Sequence, residues 1–259
     1  MPKPLTEPVL ERLTCEALTS FLGQAPKFEA SMQPGCSYAL SNEPVADLNY
    51  LVVGKGAKAD NRFQSMASDL LDRKLPFLAI LFPGAVAEVA EQAAELGLAY
   101  AVDFPFMVRE DEPIEPAGSE AAEVRCSHGA QAGLESAAVL SSAYQMPVEA
   151  ARNVLPASLF DSPAIDMFLA THEGRCVGSV TATHHGDTLG IWAMGTDASN
   201  QRKGIGRRLL STALSELRVQ GARRFFLGAT PAGYPLYESL GFITQVTTQV
   251  WASGETHQA

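Results

Sequence analysis

The run IWAMGTDASNQRKGIGRRLL at residues 191–210 passes from an apolar strand, through a polar turn holding two glycines one residue apart, into a helix. Strand and helix in such close succession fit an α/β arrangement, in which both bury their apolar faces against one sheet. The helix carries Leu209, Leu210, Ala213, Leu214 and Leu217 at helical spacing, which gives it one core-facing stripe. Glycine tolerates positive φ and lets a ligand approach the backbone closely. A helix N-terminus behind such a turn offers unpaired N–H groups and a partial positive charge. Gly204 and Gly206 are therefore placed to seat a phosphate or pyrophosphate. A dinucleotide fingerprint does not fit, because Arg207 and Arg208 follow Gly206 and no third glycine stands at the required spacing.

The surrounding charge agrees with a small anionic ligand. The 259-residue chain has a formal net charge of −10, which argues against nucleic acid as partner. Most of that charge lies in residues 1–115, whereas Arg202, Lys203, Arg207 and Arg208 cluster at the glycine turn. Cys15, Cys36, Cys126 and Cys176 show no C-x-x-C spacing. Neither a metal site nor a disulfide framework is expected, and a reducing, cytoplasmic setting follows. The most apolar stretch, residues 75–90, is broken by Pro83, Gly84 and Glu88, so no membrane span is expected.

The segment 109–120 is charged, proline-bearing and poor in large apolar residues, and reads as a linker between domains at 1–110 and 121–259. Beyond it, helices are expected at 130–142 and 147–155, and strands at 165–171, 176–184 and 189–195. Gly221 stops the helix behind the glycine loop. A strand at 224–229, a short helix opened by Pro231 and closed by Gly241, and a strand at 242–251 complete the half. The first half repeats part of this order: strand 48–53, a Gly54-Lys55-Gly56 turn, helix 63–71, strand 77–82, helix 85–96 and strand 98–108. A diverged duplication explains that repetition, and two unrelated α/β pieces are the plain alternative.

Gln201-x-x-Gly204-x-Gly206 resembles the acyl-CoA pyrophosphate loop of the GNAT superfamily of N-acetyltransferases, Q/R-x-x-G-x-G/A. Downstream, Leu236-Tyr237-Glu238-Ser239-Leu240-Gly241-Phe242 is similar to the family's L-Y-x-x-x-G-F. The resemblance spans residues 122–251, and the loop at Gly54–Asn61 carries neither motif. It implies tandem GNAT-like domains of the α/β (α+β) class, each a mixed, mostly antiparallel sheet flanked by helices, the first having lost its cofactor site. It further implies acetyl-CoA as co-substrate. Backbone groups of Met194, Gly195 and Thr196 would hold the pantetheine arm, as an added strand would. Those of Gln201, Arg202, Lys203, Gly204, Ile205, Gly206 and Arg207 would hold the pyrophosphate. Thr230 stands where the family often has a cofactor-binding asparagine. Tyr237 would protonate the departing thiolate as general acid.

The chain departs from the family at the general base. Some members carry a glutamate where this chain has Gly190. A water chain is one substitute, and His184 or His185, at a strand end before a turn, is another. The expected activity is transfer of acetyl to a primary amine, on a small molecule or a peptide, by direct attack. A non-catalytic acyl-CoA-binding module and transfer of a longer acyl or aminoacyl group are the alternatives. The acceptor and the oligomeric state are not legible.

Overall fold

The computed structural model describes residues 5–254. These form two compact units that are not contiguous in sequence. Of the described residues, the first takes those up to Met107, Gly228–Ala232 and 244–254; the second takes Val108–Leu227 and Gly233–Ile243. Among the described residues no helix is long and apolar enough to cross a membrane.

In the first unit, helix α1 (Glu7–Leu22) precedes β1 (Glu29–Gln33), β2 (Cys36–Leu40) and β3 (Asn49–Val53). Then come α2 (Arg62–Asp72), β4 (Leu78–Leu81), α3 (Pro83–Glu95) and β5 (Ala99–Glu110), of which residues 108–110 belong to the second unit. The sheet order is β1-β2-β3-β4, with β11 (Ile243–Ala252) next and β5 beyond it. β3 and β4 are parallel, Tyr50 to Val53 standing opposite Leu78 to Leu81. The other registered pairs here, β1/β2, β2/β3 and β11/β4, are antiparallel. One core is centred on Phe63, Leu70, Phe77, Leu81 and Val89, all fully buried.

In the second unit the sheet order is β6 (Glu123–Ser127), β7 (Ile165–His172), β8 (Arg175–His185), β9 (Thr188–Thr196) and β10 (Arg224–Gly228). Helices α4 (Gly129–Tyr144) and α5 (Val148–Val154) lie between β6 and β7, α6 (Ile205–Val219) joins β9 to β10, and α7 (Tyr234–Ser239) follows. All pairs are antiparallel except β9 with β10. The two sheet faces separate by alternation. Gly178 of β8 points toward Leu209 of α6, whereas Gly195, opposite Ser179, points toward Val139 and Ala143 of α4. The expected stripe of α6 is the buried one: Leu209, Leu210, Ala213, Leu214 and Leu217 are each at most 1% exposed. That is on the order of 10 kcal/mol of apolar burial for one helix face.

Three expectations change. The short helix opens at Tyr234 rather than Pro231, with Pro235 in its first turn, and residues 231–233 form turns. The stretch 109–120 is not a bare tether. Arg109 is buried and donates to the carbonyls of Leu240, Glu110, Glu112 and Pro113. Ser211 of α6 accepts from Ala117 N, and Ser119 N donates to the Gly204 carbonyl. Charge and proline mimicked a linker; the stretch is a strap whose backbone groups are taken by Arg109 within it and by Ser211 and the Gly204 carbonyl of the loop and helix. Finally, α1, β1, β2 and β6 were not expected. The three strands are only five residues long each; β1 is largely exposed, and β2 is buried on both faces rather than alternating.

Candidate active site

The site begins with an irregular strand. On β8 and β9, Thr183 stands opposite Gly190 and Thr181 opposite Trp192, but Ser179 stands opposite Gly195. Val180 alone therefore faces both Ala193 and Met194, which makes a β-bulge. Ala193 takes up the extra length at φ +46. Such a left-handed conformation costs a residue with a side chain about 1–2 kcal/mol, and strain of this kind gathers at functional positions. On its other edge β9 pairs with β10 only from Thr188 to Gly190. Past Gly190 the parallel ladder ends, so the backbone of residues 191–196 keeps an edge on which an extended ligand arm can pair.

This edge leads into the glycine loop. Asp197 organises the first turn, accepting from Ser199 N, Ser199 Oγ and Asn200 Nδ2. Those donors hold its carboxyl below the usual range. Gln201 Nε2 donates to the Thr196 carbonyl at 3.3 Å, and Lys203 Nζ to Asn200 Oδ1 at 3.1 Å. Residues 201–204 are exposed. Arg202 and Gly204 turn the chain at φ +65 and +78, and α6 starts at Ile205 with no side chain capping its N-terminus. Its first N–H groups are thus available to an anion. Arg207 reaches Ser239 Oγ at 2.6 Å.

The two glycines play different parts. A Cβ on Gly204 would lie 3.1 Å from Ser119 N, so this glycine serves the left-handed turn and the packing of the strap. A Cβ on Gly206 would lie 3.3 Å from Thr196 Oγ1 and 3.5 Å from Met194 Cε, between the start of α6 and the end of β9.

Sequence reasoning missed the support under the bulge. Tyr144, the last residue of α4, donates its hydroxyl to the Met194 carbonyl at 2.9 Å. Ser142 donates to Asp197 Oδ2 at 2.9 Å and accepts from Ala198 N at 3.2 Å. Ala143 packs so closely over Gly195 that a Cβ there would stand 2.9 Å from it. One helix end thereby fixes both the bulged strand and the entry to the loop. No local pattern in residues 142–144 announces this.

Tyr237 lies on α7, half-buried, packed against Gly233 and edge-on to Phe242. Burial pushes its phenol up to about 12, with no charged or hydrogen-bonding group offsetting it. It is therefore protonated throughout the neutral range. Thr230 is exposed, in a stretch that clusters with the first unit, whereas the loop residues belong to the second. The histidines are not idle turn residues. His184 Nε2 donates to Asp166 Oδ2 at 2.6 Å on the α6 face. His185 Nε2 meets Thr183 Oγ1 at 3.0 Å on the α4 face, its ring beside Phe226. At Gly190, where the family's glutamate would stand, a Cβ would collide with the Trp192 indole nitrogen. The indole fills the volume that a carboxylate would need.

The first unit treats its own glycine loop differently. β3 and β4 stay paired to the last residue of β3, Val53. The Gly56 amide donates to Glu88 Oε2 at 2.9 Å, and the Gly84 amide, at the start of α3, donates to Glu7 Oε1 at 2.8 Å. The Glu11 carboxylate lies where a Cβ of Gly54 would be.

Comparison with known proteins agrees with this geometry. Residues 163–244 match the acetyltransferase (GNAT) domain model. A mycothiol acetyltransferase from Thermomonospora curvata is 34% identical over 95 residues, which is 35% of this chain and 32% of that protein. The chain thus matches about a third of that relative's length. A GCN5-related N-acetyltransferase from Kribbella flavida shares the fold over 95% of this chain and 96% of its own, with TM-score 0.68 and 19% identity. A tandem GNAT protein from the clavulanic acid biosynthesis pathway matches over 95% of each chain, with TM-score 0.59 and 14% identity. The bulged strand, the glycine loop and the helix behind it thus lie in a GNAT acetyltransferase domain, which this chain carries at residues 163–244.

Proposed function

We propose that this domain transfers the acetyl group of acetyl-CoA to a primary amine, on a small molecule or a peptide. The bulge at Ala193–Met194 carries the reading, together with the ladder that ends at Gly190. These leave an unpaired strand edge leading to an uncapped helix N-terminus, which suits an amide-bearing arm followed by a pyrophosphate. The residues present fit that co-substrate. Met194, Gly195 and Thr196 supply the edge, and Gln201 to Arg207 supply the loop amides. Gly206 adds no side chain there, and Arg202 and Lys203 add positive charge.

Acetyl-CoA supplies an activated thioester. The chain contributes position and protons. N–H groups at Met194 and Gly195, on the bulge, face the developing carbonyl charge. Holding amine and thioester in line supplies much of the rate. Tyr237, neutral at physiological pH, donates its proton to the leaving sulfur. The first unit is read as a GNAT-like half without a cofactor site, since Glu7 and Glu88 take up the amides that an anion would use.

Calorimetry with CoA, followed by thiol release from acetyl-CoA over an amine panel, tests the reading. One CoA per chain and amine-dependent release are expected. Binding without release toward any amine would favour a non-catalytic acyl-CoA module; two equivalent CoA sites would refute the assignment of the halves.

A further inference from the structure

We propose that a file of hydroxyls on β8 leads the amine's proton from the bulge to His185, in place of the missing carboxylate base. This rests on the acetyl-transfer reading above. Ser179, Thr181, Thr183 and His185 occupy alternate positions of β8 and so share the face toward α4. Opposite them on β9 stand Gly195, Trp192, Gly190 and Thr188. The file therefore starts beside the bulge, at Ser179 and Thr181, and runs along β8 to its end at His185.

Its chemistry is unusual for a sheet core. Ser179, Thr181 and Thr183 are fully buried. Among the described residues, Ser179 Oγ and Thr181 Oγ1 have no hydrogen-bond partner, and neither do Trp192 Nε1 or Ser136 Oγ of α4, the helix over this face. A buried polar group left without a partner costs about 1–3 kcal/mol, so three hydroxyls and an indole N–H along one face call for bridging water. Alternate residues on a strand lie about 6.7 Å apart. One water accepting and donating across the gap spans roughly 5.5 Å, so the relay requires neighbouring hydroxyls to lean toward one another by about 1 Å. The last link is direct: Thr183 Oγ1 and His185 Nε2 are 3.0 Å apart.

In the transfer, the amine nitrogen bonds to the thioester carbon and the carbon–sulfur bond breaks. The nitrogen gives its surplus proton to the file, each hydroxyl passing one on and taking one up, and the His185 imidazole receives it and releases it to solvent. The sulfur takes its proton from Tyr237, which is reprotonated from solvent, so the enzyme ends unchanged. Beside His185 on the same face, β10 presents Arg224, paired with Glu110, and Phe226. Asp187 lies in the adjoining turn. His184 and Asp166 pair on the opposite face and do not join the file. His185 is half-buried, at the end of the strand, where a proton can leave.

The test compares T183V, T183S, T181V and H185Q with the unaltered protein. CoA calorimetry is run beside thiol release from acetyl-CoA with spermidine, L-lysine, glycinamide and kanamycin. T183V keeps the side chain's shape and removes its hydroxyl. Its turnover, like that of H185Q, is expected to fall on the order of 10²-fold, with CoA affinity unchanged and T183S near normal. The pH profile of turnover is expected to differ between H185Q and the unaltered protein. Wild-type turnover and an unshifted pH profile in both T183V and H185Q would overturn the relay while leaving acetyl transfer standing. Absence of CoA binding or of thiol release in the unaltered protein would overturn the acetyl-transfer reading and the relay with it.

Discussion

Replacing either glycine of the loop by alanine adds one methyl group, yet the two variants are expected to fail in opposite ways. Gly206 lies in the first turn of α6, where alanine is favoured over glycine by up to about 1 kcal/mol. The new Cβ would stand 3.3 Å from Thr196 Oγ1 and 3.7 Å from Leu236 Cδ2, tight but not overlapping. Stability of Gly206→Ala should therefore stay within about 1 kcal/mol of the parent. The methyl group, however, would occupy the mouth of the proposed pyrophosphate seat. Displacing one or two charge-assisted bonds, at about 1.5–3 kcal/mol each, should raise the CoA dissociation constant on the order of 10²-fold. Gly204→Ala meets φ +78 and the Ser119 amide at 3.1 Å. Its left-handed conformation alone costs about 1–2 kcal/mol, or roughly 2–8 °C in melting temperature. Thermal melts and CoA titrations of the purified variants separate the cases. Unimpaired CoA binding by Gly206→Ala, or a lower melting point for it than for Gly204→Ala, would refute the division of labour.

Tyr237→Phe should lower turnover by about 10²–10⁴-fold with little change in melting temperature, whereas a structural ring predicts normal turnover. The Tyr237 phenol, near 12 in the folded chain against about 10 unfolded, binds its proton more tightly when folded. Stability should thus fall as pH rises from 10 to 12, and Tyr237→Phe should remove that part of the loss in alkaline melts. Glu11 is pushed up by burial and by Glu7, so ionising it opposes folding. Glu11→Gln should raise the melting temperature at pH 7 and lose that advantage near pH 4; equal melts at both would contradict it. Tyr144→Phe frees the Met194 carbonyl and should weaken CoA binding by about tenfold, read by calorimetry.

Where the local pattern and the tertiary packing agree, the sequence was a sufficient guide. The α6 stripe and the stop at Gly221 both depend on residues within a turn or two of one another, and Gly221 has positive φ. What escaped notice depends on distant partners. Arg109 reads as a surface charge until Leu240 supplies its acceptor. Gly118 reads as linker until the Gly204 carbonyl is found 2.4 Å from where its Cβ would be. Tyr144 and Ser142 sit at the end of a helix whose role is settled by what lies beneath it. At Gly190 the sequence showed the missing carboxylate but not the indole that takes its volume. The bulge was equally hidden, because one extra residue in a strand leaves the hydrophobic run unbroken.

The placement of β11 bears on how the chain acquires its structure. Residues 249–252 pair with residues 78–81, and Ser253 accepts from the Phe77 amide. β4 is the inner strand against which the first unit builds its core, yet its partner on that edge emerges from the ribosome only after the whole second unit has been made. Until then the nascent chain presents an unpaired, apolar edge, the kind of surface that recruits other strands. Contacts of such sequence separation also slow the search for the native state. A chain halted before Thr244 would therefore yield a first unit that cannot close. Its synthesis should depend on holdase chaperones far more than that of a protein whose halves are each complete in order of translation.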